Sequence, residues 1–117
     1  MIWIKFASFF MFTAVGLGAF GAHALRDKLT PPYLDIYKTA VLYQMVHALG
    51  LFAIAWLSTQ LVSPKINTVG IFLTIGIILF SGSLYLLSTI QWKWLGPITP
   101  IGGLCFLIGW GILFFIK

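Results

Sequence analysis

The chain has 117 residues, of which 61% are apolar and 8% charged, and a formal net charge of +5. A soluble domain runs about 45–50% apolar and about 25% charged. This composition, with a mean hydropathy of +1.06, therefore excludes a water-soluble globule and indicates an integral membrane protein folded as one bundle. The cations Lys5, Arg26, Lys28, Lys38, Lys65, Lys93 and Lys117 stand singly. They build no basic stripe that would track phosphates, so a nucleic-acid partner is not expected.

The first apolar run follows Lys5 and ends in GAFGAHAL, residues 18–25. Its Ala22-His23-Ala24 tail imitates a secretory cleavage site, but the segment is read as a retained transmembrane helix. A spanning helix needs about 20 mostly apolar residues, and four stretches supply them: 3–24, 39–62, 67–90 and 99–116. Helices are the form expected for these runs, because lipid offers the backbone no hydrogen-bond partner.

In the first linker, Thr30 is the expected N-cap and Pro31 suits the first helical position. A helix from residue 31 to 62 would be about 48 Å long, against a hydrocarbon core of about 30 Å. An interfacial segment is therefore expected between the first and second spans, with Asp35 and Lys38 as a weak i,i+3 pair. Ser63-Pro64-Lys65-Ile66 makes a tight turn. Trp92-Lys93-Trp94 reads as an interfacial anchor. The loop cations divide too evenly between the two faces to set an orientation.

Chain alternation places the polar and small residues of all four spans in one leaflet-half. The first span ends there with Gly18, Gly21 and His23, and the second leaves with Tyr43, Gln44 and His47. The third returns with Ser81, Gly82, Ser83 and Tyr85, and the fourth leaves with Thr99, Gly102 and Gly103. Tyr37, Ala40, Gln44, His47 and Leu51 follow one helical stripe. Ala14, Gly18 and Ala22 form a small-xxx-small face for close helix contact. The glycines are expected to serve packing. Gln44 and His47 need partners, since unpaired polar groups are costly at that depth. The expected pocket comprises His23, Tyr43, Gln44, His47, Ser81, Ser83, Tyr85 and Thr99.

Five motifs appear in register: GAFGAHAL at 18–25, Y-x-TAVLYQMVHAL at 37–49, FSGSLY at 80–85, TPIGG at 99–103 and GW at 109–110. Together they resemble the YgdD-like family of small bacterial inner-membrane proteins (domain of unknown function 423), which has a transmembrane-protein-256-like relative in eukaryotes. The resemblance implies a four-span protein of the bacterial plasma membrane and supplies no activity.

The leading expectation is a non-enzymatic, all-α membrane protein without cofactor or metal. It would bind a membrane lipid or small amphiphile in the polar half-pocket, or act as a structural homo-oligomer. Both carboxylates, Asp27 and Asp35, lie in the first linker, which removes paired-acid chemistry from the membrane. A Ser81–His47 nucleophile–base pair is imaginable, yet no nucleophile elbow accompanies it. The alternatives are a small oligomeric transporter or channel, which lacks an intramembrane acid relay, and a haem or quinone subunit using His23 and His47.

Overall fold

The computed structural model describes residues 2–116. Four helices are long and apolar enough to cross a membrane. They are α1 (Ile2–Leu25), α2 (Pro31–Gln60), α3 (Lys65–Thr89) and α4 (Ile98–Phe115). The helix α2 starts where the Thr30-Pro31 pair predicts, but the Thr30 side chain makes no cap bond. Only its carbonyl joins the helix, accepting from the Leu34 amide at 2.9 Å. Thirty residues make α2 about 45 Å long, so it extends past the hydrocarbon core at one end.

Each helix packs on its neighbour in sequence, α1 on α2, α2 on α3 and α3 on α4. No extended interface closes α1 onto α4 among the described residues, and the array is flattened, with principal extents of 49 × 26 × 17 Å. The apolar core lies between α1, α2 and α3, where Ala7, Leu51, Ile54, Val69 and Leu73 are fully buried. Phe106 carries it towards α4. The turn between α2 and α3 is held by Ser63, whose hydroxyl accepts from the Lys65 amide at 3.3 Å. The anchoring tryptophans Trp92 and Trp94 stack at 5.9 Å and are exposed. Asp35 and Lys38 form no ion pair; the pair found among the described residues is Arg26–Asp27 at 4.0 Å.

Two π-helical turns interrupt the spans, Gly21–Leu25 at the end of α1 and Ile77–Ser81 inside α3. A π turn adds a residue and re-phases the side chains that follow. At the end of the second one Ser81 reaches α2, and just beyond it Ser83 reaches α4. The same turn brings the Phe80 backbone against α4, where Gly102 stands; a Cβ at Gly102 would overlap the Phe80 amide nitrogen. Gly21 plays the matching part on α1, leaving room for the Tyr37 ring.

Gly18 also meets a neighbour, Val41 of α2, at 3.2 Å from where its Cβ would lie. The expectation of close packing fails at two positions. Gly82 faces open space, and Gly103 has only ordinary contact with the Phe80 ring at 3.8 Å. Both lie one residue beyond the glycine or serine that meets the neighbour, and one residue turns a helix by about 100°.

These contacts make opposite predictions for two glycines one helix apart. Gly102→Ala should lower stability in detergent by about 1–3 kcal/mol through overpacking against backbone. Gly82→Ala should be neutral or add up to about 1 kcal/mol through helix propensity. Thermal melting of the two variants beside the parent checks both.

Candidate functional site

The polar side chains singled out by depth do not converge on one pocket. They sort into interhelical hydrogen bonds that nearly all meet α2. Gln44 is the centre. Its amide nitrogen donates to the Phe10 carbonyl at 2.9 Å and to Thr13 Oγ1 at 2.7 Å, both on α1. Its amide oxygen accepts from the Tyr85 hydroxyl of α3 at 2.6 Å. One carboxamide thus links three helices and is itself buried. The amide orientation follows from this network, the only one that serves all three partners.

Around it, the Tyr37 hydroxyl donates to the Leu17 carbonyl at 2.6 Å and ties α2 to α1. The Tyr37 and Tyr85 rings meet edge-to-face at 5.3 Å. Ser81 donates to the Ala40 carbonyl at 2.8 Å, joining α3 to α2. Ser83 lies 2.6 Å from Thr99 and joins α3 to α4. Thr74 is the exception: its hydroxyl is buried without a partner.

His47 belongs to a separate pair. Its Nδ1 lies 2.8 Å from the Tyr43 carbonyl, and Trp110 Nε1–H donates to its Nε2 at 3.0 Å. Indole is a donor only, so Nε2 accepts and Nδ1 carries the proton. That neutral tautomer satisfies both ring nitrogens. The imidazole stacks on Phe106 at 3.6 Å with the planes 12° apart. An axial haem ligand would first have to displace Trp110 from Nε2, and a base acting on Ser81 would face the same obstacle. Ser81 in any case points at α2 backbone.

His23 stands apart from both groups. It lies in the π turn at the end of α1, exposed. The expected pocket therefore loses His23, and its other members divide between the Gln44 network, the Ser83–Thr99 pair and the His47 group. Tyr43 is half-exposed and packs its ring on Phe80 at 4.5 Å.

Trp110, Thr13 and Tyr37 were not among the expected site residues. Tyr37 sat on the Gln44 stripe, and Trp110 closed the GW motif; those were the signals present. Thr13 had none, being a lone threonine in an apolar run.

What the residues do enclose is a groove between α2 and α4, open to the lipid side, of about 560 Å³. Tyr43, His47, Phe80, Phe106 and Trp110 line it, with Pro100 and Leu107 completing the wall. Among the described residues no three His, Cys, Asp or Glu side chains come together.

A chain whose four apolar helices are bound to one another by buried side-chain hydrogen bonds is a small polytopic membrane protein. The sequence model of the family described as "Protein of unknown function (DUF423)" matches residues 17–103, and the chain belongs to that family. It is 52% identical to the UPF0382 membrane protein YwdK of Bacillus subtilis over 83% of this chain and 80% of that one. It is 51% identical to a UPF0382 membrane protein of Staphylococcus saprophyticus, over 86% and 82% of the two chains. A further UPF0382 membrane protein, from Staphylococcus epidermidis, is 52% identical over 86% and 81%. No solved structure matches.

The His47–Trp110 hydrogen bond is testable by a double-mutant cycle. His47→Phe and Trp110→Phe should each lower stability, and the double variant should lose less than the sum, with a coupling of about 0.5–1.5 kcal/mol. Additive losses would mean that the two side chains act independently.

Proposed function

We propose that this protein is a non-enzymatic component of the bacterial plasma membrane that holds an acyl chain or other small amphiphile in the groove between α2 and α4. The observation that carries this reading is the groove itself: a lipid-facing slot floored by the stacked His47 and Phe106 rings and walled by Tyr43, Phe80 and Trp110. Rigid aromatic walls suit an apolar guest, because little conformational freedom is lost when the guest enters.

The state of the polar groups supports the same reading. Gln44, His47, Ser81 and Ser83 are all engaged in hydrogen bonds within the fold. None is left as a free base or nucleophile beside the groove. A second copy of the chain seated in this slot is the competing occupant, and it would make the protein a homo-oligomer.

Photolabelling tests the proposal. A phosphatidylcholine carrying a diazirine on one acyl chain, in nanodiscs with the purified protein, should label Tyr43, Leu104 and Leu107 in preference to Leu49 and Ile71, which are exposed to a similar degree but lie outside the groove. Gly103→Leu should fill the slot and abolish that preference. Even labelling of all lipid-facing positions would overturn the reading, and protein–protein cross-links through Leu104 and Leu107 would favour the second copy.

A further inference from the structure

A second groove lies between α1 and α2, independent of the one above. It encloses about 240 Å³ and is lined by Gly18, Gly21, Tyr37, Val41 and Met45, with Lys38 at its mouth. The slot runs along the seam where Gly18 and Gly21 of α1 meet the larger Tyr37 and Val41 of α2. Its wall is fixed, since Tyr37 is buried and its hydroxyl is bonded to the Leu17 carbonyl at 2.6 Å. The cavity is therefore preformed.

The depth of Lys38 gives the groove its character. Trp56 is exposed on α2, and an exposed indole marks a membrane interface. Eighteen residues of α2 separate Trp56 from Lys38, about 27 Å of helix, against a hydrocarbon core of about 30 Å. Lys38 thus sits at the opposite hydrocarbon boundary, from which its long side chain reaches outward to the lipid phosphates. It is exposed and has no ion-pair partner among the described residues. The charges around it are Asp35, one helical turn nearer water, then the Arg26–Asp27 pair and Lys28 in the linker. They leave a cation at the groove mouth and no carboxylate inside it.

We propose that this groove is a binding site for an anionic phospholipid, with an acyl chain lying along Gly18, Gly21, Val41 and Met45 and the phosphate held by Lys38. Charge complementarity selects the headgroup, and the apolar slot below it takes the chain. A zwitterionic lipid fits the slot but gains less from the cation, because its own ammonium offsets the phosphate.

Native mass spectrometry of the protein released from nanodiscs of equimolar phosphatidylglycerol and phosphatidylcholine tests this. Retention of phosphatidylglycerol should exceed that of phosphatidylcholine by about fivefold, the factor one cation supplies at an anionic surface. Lys38→Gln should remove the preference. Ala22 also lines the slot on α1, and Leu42 on α2; Ala22→Leu should narrow it and lower retention of both lipids while Lys38 is intact, and Leu42→Phe serves the same purpose if that variant fails to fold. Lys28→Gln, outside the groove, should leave the preference in place. Equal retention of the two lipids overturns the proposal, as does a preference that survives Lys38→Gln. So does retention that falls with Lys38→Gln yet is indifferent to both filling variants, for that is attraction to surface charge without a groove.

Discussion

The carboxamide of Gln44 is the interaction on which the bundle turns. In lipid, helices gain no hydrophobic free energy by touching one another, because the solvent is as apolar as their side chains. What holds them is close packing and interhelical hydrogen bonding. Gln44 meets α1 through Phe10 and Thr13 and α3 through Tyr85. The other polar groups of α2 extend the pattern: Tyr37 to α1, the Ala40 carbonyl to α3 and His47 to α4. The longest helix is thus the post to which α1 and α3 are fastened, while α4 packs on α3 and is tied to α2 by the Trp110–His47 bond. This also explains how an open array, with no extended α1–α4 interface, keeps a defined shape.

Close packing works beside these bonds. Gly21 and Gly102 remove side chains where Tyr37 and the Phe80 backbone need room, and each contact sits next to a hydrogen bond between the same helices. The π turn at Ile77–Ser81 joins the two effects, since it pushes Phe80 towards Gly102 and turns Ser81 and Ser83 to different neighbours. These polar groups are satisfied within the fold, and grooves lined mainly by apolar side chains lie between the helices.

Much of this was legible in the sequence. Apolar runs of spanning length, the Pro31 start and the Ser63-Pro64 turn place the four helices. The stripe through Tyr37, Gln44 and His47 identifies the polar face of α2. Partners were harder to read. Sorting residues by distance from a span's end put His47 with Ser81, whereas α4 presents Trp110 about 18 Å along its axis from Ile98, level with His47. Trp110 read only as part of the GW motif, because an indole within an apolar run carries no mark of its partner. His23 shared its Ala-Leu context with His47, but its place at the end of α1 leaves it exposed. Nothing in single-residue chemistry announces a π turn, so the division of Ser81 and Ser83 between two helices had no sequence signal.

Gln44 holds the bundle by hydrogen bonding and not by its volume. Reversible unfolding of Gln44→Leu in bicelles tests it most directly, since leucine fills a similar space and strands the Tyr85 hydroxyl, Thr13 and the Phe10 carbonyl. The expected loss is about 2–4 kcal/mol, the sum of three interhelical hydrogen bonds in a membrane. A variant as stable as the parent, or more stable, would contradict it.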